Sequence, residues 1–137
     1  MDRHICLIGA LLLANAGCGR PATVINETPP DVAAVEGSVI AISGGPVIGA
    51  TLRIDAFRTS GGSTQLIDHF SAQTDTEGRF VRVLILGAFG LQQCQVIITV
   101  TPPVGSGLLV KTDTVIARVG MLLPPADTAR VDFILTP

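Results

Sequence analysis

The sequence predicts an all-β fold, a single seven-stranded antiparallel β-sandwich behind an N-terminal signal peptide. Three observations carry that expectation. From Val35 onward apolar and polar residues alternate with a period of two, the pattern of a strand with one buried face. Gly- and Pro-rich turns interrupt the alternation at short intervals, as at Gly44-Gly45-Pro46 and Pro102-Pro103. No stretch beyond the signal region shows a helical apolar stripe. The 137 residues, 47% hydrophobic and 15% charged, suit one domain with one core.

The strands follow in order. Val35, Gly37, Val39 and Ala41 alternate against Glu36, Ser38, Ile40 and Ile42. Ala50, Leu52, Ile54 and Ala56 then face one side while Thr51, Arg53 and Asp55 face the other. Ser60 to Thr64 reads as a hairpin loop, Gln65 to Thr74 as a strand, and Asp75-Thr76-Glu77-Gly78 as a tight turn. Arg79 to Leu86 is apolar on both faces apart from Arg82, which predicts a strand covered by a second sheet. After a break at Gly87 to Gly90, Leu91 to Thr101 and Leu108 to Val119 resume the strand pattern. Gly120 to Thr128 is a Pro-rich loop, and Val131, Phe133 and Leu135 form the inner face of a last strand. No internal repeat is present.

Ahead of the domain, Arg3 and His4 precede the apolar run Ile5 to Ala14. That is the length of a signal-peptide core and well short of the roughly 20 residues that a spanning helix needs. Ala16-Gly17-Cys18 follows and resembles the lipobox of bacterial lipoproteins, with Asn15 where that motif usually carries an aliphatic residue. The resemblance implies cleavage after Gly17 and acylation of Cys18. It divides the chain into a signal peptide 1–17, a flexible Pro-rich tether 18–34 and a domain 35–137. Each acyl chain contributes about 0.8 kcal/mol per buried methylene, so a multiply acylated Cys18 holds a small domain on a membrane. Gly19 rather than Asp after the cysteine implies the outer membrane in preference to the inner one.

Cys6 leaves with the signal and Cys18 takes the lipid, so Cys94 has no intrachain partner and no disulfide is expected. Cys94 falls in register with Val96, Ile98 and Val100, on the buried face of its strand.

Gly37-x-Val39, Gly45-Pro46-Val47-x-Gly49-Ala50-Thr51-Leu52 and Thr74-Asp75-x-x-Gly78-Arg79-Phe80 occur in that order. Together they resemble the carboxypeptidase regulatory-like domain, a transthyretin-like (prealbumin-like) sandwich, over residues 35–101. The Pro-Gly-Tyr-like segment of that family is replaced here by Gly87-Ala88-Phe89-Gly90-Leu91. Asp75 caps its own turn in this reading and Phe80 seals the core beyond it. The family's domain is a non-catalytic appendage of metallocarboxypeptidases, so the resemblance implies a packing or recognition module and transfers no active site.

Chemistry-bearing motifs are sparse. Neither Cys-x-x-Cys nor His-Glu-x-x-His occurs, no Gly-x-Ser-x-Gly elbow or P-loop is present, and His69 is the one histidine beyond the signal. Intradiol dioxygenases, a transthyretin-like branch that holds iron with Tyr and His, are disfavoured by the absence of Tyr. Hydroxyisourate hydrolases, with their terminal Tyr-Arg-Gly-Ser, are disfavoured by the end Ile134-Leu135-Thr136-Pro137. Lys111 as the sole Lys, with Asn26 in the tether, leaves no components for an isopeptide crosslink. Asp75 and Glu77 are weak candidates for a Ca²⁺ at their turn. Asp68 and His69 form a weak acid–base pair. Carbohydrate stacking would rest on Phe57 or Phe89, since Trp and Tyr are both absent.

The expectation is therefore no enzyme and no cofactor. It is a lipid-anchored cell-envelope accessory protein, joined to the membrane at Cys18 and binding another envelope protein. Contact is expected through an unpaired sheet edge or the loops Ser60 to Thr64 and Pro102 to Gly107. A net charge of −2 with no Lys/Arg run excludes a nucleic-acid partner. The alternatives are a small-ligand carrier with an apolar pocket between the sheets and, behind it, a hydrolase built on Asp68 and His69.

Overall fold

The computed structural model describes residues 27–121 and 127–137. The expected signal peptide, Gly17, Cys18 and the expected tether up to residue 26 lie outside the described residues.

Eight strands make up the described chain: β1 (Asp31–Ala41), β2 (Thr51–Ser60), β3 (Ser63–Gln73), β4 (Arg79–Gly87), β5 (Gln93–Thr101), β6 (Lys111–Arg118), β7 (Ala129–Arg130) and β8 (Phe133–Leu135). They form two four-stranded sheets. The second sheet runs β3-β2-β5-β6 and is antiparallel throughout. In the first, β1 is central, with β4 antiparallel on one side and β7 and β8 parallel on the other.

Two expectations are corrected here, the count of seven and the purely antiparallel pairing. The last strand is split, because β7 and β8 lie on β1 in one continuous register, Val35 opposite Ala129 and Val39 opposite Phe133. Between them the Asp132 carboxylate takes the Ser38 amide at 2.9 Å in place of a main-chain acceptor. The pairing is parallel because β7 joins β1 at Val35 and Glu36 and the chain runs on in the direction of β1 into β8, beside Val39 to Ala41.

The alternation places the core as expected. Leu52, Ile54 and Ala56 of β2 and Cys94, Val96, Ile98 and Val100 of β5 are buried against Val35, Val39, Leu84 and Phe133 of the first sheet. The Phe80 and Phe133 rings meet at 6.4 Å, tilted by 47°. Each large side chain removed from water stabilises the fold by about 2 kcal/mol.

β1 and β4 depart from the reading. β1 begins at Asp31, not Val35, and Asp31 to Val35 are buried on both faces, which is why no period of two appears there. The tether accordingly ends at Pro30. β4, expected to be covered on both sides, is an edge strand: Phe80, Leu84 and Leu86 face the core while Val81, Val83 and Ile85 are exposed.

The registers give the sandwich two distinct ends. At the proximal end, β1 starts, β2 and β3 join at Ser60–Ser63, and the loop Gly87–Leu91 and residues 118–121 meet. At the distal end lie the loops 42–50 and 102–110, the turn Thr74–Gly78 and the end of β8.

Candidate functional site

The distal end carries no charge over long stretches. Residues 41–52, 101–110 and 133–137 contain no Asp, Glu, Lys or Arg. The first loop is folded back by hydrogen bonds from the Ala41 amide to the Gly45 carbonyl at 2.8 Å and from the Val47 amide to the Val39 carbonyl at 2.9 Å. Gly44, at φ +97°, supplies the turn that a side chain would resist. The C-terminal strand holds the loops together, its Leu135 and Thr136 carbonyls accepting from the Ile42 and Leu109 amides, each at 2.8 Å. These bonds fix the loops while Ile42, Ile48, Val104, Leu109 and Val110 stand more than half exposed. Apolar clusters of this kind mark contact sites.

Sequence reasoning named the loop Pro102 to Gly107 but missed Leu109 and Val110, which it assigned to a strand that begins at Lys111. The signal that finds them is the absence of charge from two stretches far apart in sequence.

Beside this end sits the turn Thr74–Arg79. The buried Thr74 hydroxyl donates to the Val47 carbonyl at 2.6 Å and accepts from the Ala50 amide at 2.9 Å, binding the turn to the loop. Asp75 Oδ1 accepts from the Arg79 amide at 2.9 Å and the Glu77 amide at 2.8 Å. Those two amides, Arg79 first, hold its carboxyl below the usual carboxylate range. Glu77 pairs instead with the Arg79 guanidinium at 3.1 Å. Asp75 and Glu77 are therefore turned to the turn itself. Among the described residues no three His, Cys, Asp or Glu side chains gather to hold a metal. A polar cleft of about 600 Å³ adjoins the turn, lined in part by Glu36, Gln73, Asp75, Arg79 and Arg130. Arg130 there is occupied by a two-pronged pair with Asp132 at 3.0 and 3.2 Å.

The remaining sequence candidates do not converge on this end. His69 lies on the edge strand β3, 70% exposed, with its ring 3.9 Å from Asp68. Asp55, opposite His69 across the sheet, is paired with Arg53 at 3.0 Å. Cys94 is free and buried, and burial first, then the Asp31 charge, pushes its thiol up to about 11. It is a protonated, inert thiol at neutral pH. Phe89 is half exposed at the proximal end with the Arg58 guanidinium 4.5 Å above its ring, while Phe57 is half-buried in β2. Gly17 and Cys18 lie outside the described residues.

No family model matches the sequence, and no curated protein matches it. Solved structures do share its shape. The dioxygenase domain of a dioxygenase carbohydrate-binding protein fusion from Streptomyces sp. SirexAA-E matches with a TM-score of 0.49 and 19% identity, covering 82% of this chain and 84% of that one. The 3-chlorocatechol 1,2-dioxygenase of Rhodococcus opacus 1CP matches with a TM-score of 0.50 and 15% identity over 81% of this chain, which spans 61% of that enzyme. At such identities the likeness is one of fold.

It nevertheless corrects one expectation. The absence of enzymatic activity follows, in the sequence reading, from the missing catalytic motifs and from the non-catalytic appendages that the chain resembles, and a structural neighbour that is a dioxygenase overturns that inference. The fold does not bring the ligands with it. The Tyr and His set considered above finds no Tyr anywhere in the chain, and His69 is exposed on a strand edge, so the residues present do not fit such an iron centre.

Proposed function

We propose that this chain is an exported, lipid-anchored protein of the cell envelope, acylated at Cys18 after cleavage at Gly17, whose sandwich binds another envelope protein through its distal end. The outer membrane is its expected location, in keeping with Gly19. The single observation that supports this reading is the uncharged, apolar cluster of Ile42, Ile48, Val104, Leu109 and Val110, at the end of the sandwich away from the anchored segment. Apolar loops suit the desolvated centre of a protein interface. The sandwich is of the transthyretin-like kind, a relative of the carboxypeptidase regulatory-like domain, with the last strand split in two.

The alternatives gain no such support. Among the described residues, clefts of about 600, 410 and 300 Å³ are lined mainly by polar surface side chains, unlike the apolar pocket that a small-ligand carrier needs. A hydrolase on Asp68 and His69 would have to work from an open strand edge.

The test is photo-crosslinking in intact cells from a probe at Val104 or Leu109, with a probe at Arg53 on the outer face of β2 as control. The expected result is one discrete protein adduct from the distal positions and none from position 53. Equal, diffuse labelling from all three contradicts the proposal.

A further inference from the structure

The proximal end, where the anchored segment enters, carries a smaller apolar rim beside the polar hairpin Ser60–Ser63. The first two residues of β1 are its centre. Asp31 Oδ2 accepts from the Phe89 amide at 2.9 Å and the Leu91 amide at 3.1 Å, folding the loop Gly87–Leu91 around the strand's start. Val32 lies opposite Ile85 on one side and Gly120 on the other, with Val32 and Gly120 exchanging bonds of 2.7 and 2.9 Å. Ile85, Phe89 and Met121 therefore flank the entry point, each about half exposed. Arg58 lies over the Phe89 ring, and Arg118 pairs with Asp127 at 3.5 Å nearby.

From this juxtaposition we infer that the rim of Ile85, Phe89 and Met121 rests on the bilayer, the domain standing on the membrane and presenting its distal end outward. The inference depends on the anchoring at Cys18 proposed above. Residues 19–30 separate that cysteine from β1. Fully extended they reach only about 40 Å, at roughly 3.3 Å per residue. A short tether keeps the local concentration of lipid so high that a small apolar rim suffices for contact. The chemistry of the rim suits a lipid surface. Apolar side chains enter the acyl boundary while the Arg58 and Arg118 guanidiniums, carried on long apolar stems, remain at the level of the phosphates. A protein partner would compete for this rim against the surface that the tether already holds beside it.

The chain has no Trp and no Tyr, so a single introduced Trp reports its own surroundings without background. The experiment uses the full acylated protein in vesicles of phosphatidylcholine and phosphatidylglycerol, with and without bromine on the acyl chains. The variants are Phe89→Trp, Met121→Trp and Val104→Trp. Position 104 lies about 30 Å away along the strands, beyond the reach of bromine quenching from a rim-down orientation. Brominated lipid is expected to remove most of the emission at positions 89 and 121 and none at 104. Met121→Trp keeps the test open should the Phe89 variant fold poorly. Quenching at 104 without quenching at 89 and 121 overturns the inference. So does emission unaltered at all three positions in protein whose mass shows an acylated Cys18. Emission from the Phe89→Trp variant that is blue-shifted but unquenched in native membranes loaded with brominated lipid also overturns it, since a protein then covers the rim. Failure of acylation is read separately, by mass, and sinks the anchoring proposal together with this one.

Discussion

Asp132 and Ser38 are joined twice, the Oδ1 of the carboxylate accepting from the serine amide at 2.9 Å and from its hydroxyl at 2.8 Å. One side chain thus stands in for a rung of the ladder where the last strand breaks, and keeps β7 and β8 in one register. Asp132→Ala is expected to lower stability by about 1 kcal/mol, the value of a charge-assisted bond reduced for its exposure. Chemical denaturation measures it. Arg130 foremost, then Ser38, hold this carboxyl below its ordinary 3.8. A depressed folded value means the contribution is present above 3.8 and is lost as pH falls through the lower folded value. The gap between the wild type and Asp132→Ala should therefore narrow in acid below about pH 4.

Gly37 lies against the same break. A Cβ at this position would overlap the Val131 carbonyl, which is backbone and has no room to move aside. Gly37→Ala should cost about 3 kcal/mol, read as a lower midpoint of thermal or urea unfolding. Gly45→Ala, where a Cβ meets nothing within 4 Å, is the control and should leave stability nearly unchanged.

Asp31 is a buried carboxylate whose work is to satisfy two amides. Asp31→Ala is expected to destabilise by about 2 kcal/mol and to speed hydrogen exchange at the Phe89 and Leu91 amides before the rest of the chain. Exchange rates unchanged at those two amides would contradict the assigned role.

Cys94 offers a chemical probe of the core. With its thiol raised from 9.0 to about 11, the folded protein carries about 100-fold less thiolate at pH 8 than the unfolded chain. Alkylation of Cys94 should be slower by at least that factor in the native state and rise to the free rate in denaturant.

How far the fold was legible follows from which faces each strand exposes. β2 and β5 have one wet face and one dry face, so Leu52, Ile54, Val96 and Ile98 declare themselves by alternation. The start of β1 is dry on both sides and loses the alternation, which hid its first residues in the tether. β4 misled in the opposite sense: Val81, Val83 and Ile85 read as buried, yet nothing among the described residues covers them. The Asp75 turn was readable because its logic is local. The distal cluster was not, since only the pairing of β1 with β8 brings Ile42 beside Leu109.

Arg82 shows how the β4 edge is protected. By alternation with Phe80 and Leu84 it lies on the inward side of β4, opposite the buried Val35, yet it is exposed. An inward-directed charge on an edge strand obstructs the addition of another strand. Arg82→Val is expected to leave the folded monomer intact and to produce dimers or larger species in size-exclusion chromatography. A variant that stays monomeric at high concentration would contradict this.

The proposed function rests on lipid at residue eighteen, and the intact mass of the exported protein tests it most directly. The account predicts a chain that starts at Cys18 and carries a diacylglyceryl group, and a Cys18→Ala variant that loses both the added mass and membrane association. A mature chain that retains residues 1–17, or one with an unmodified Cys18 thiol, would contradict it.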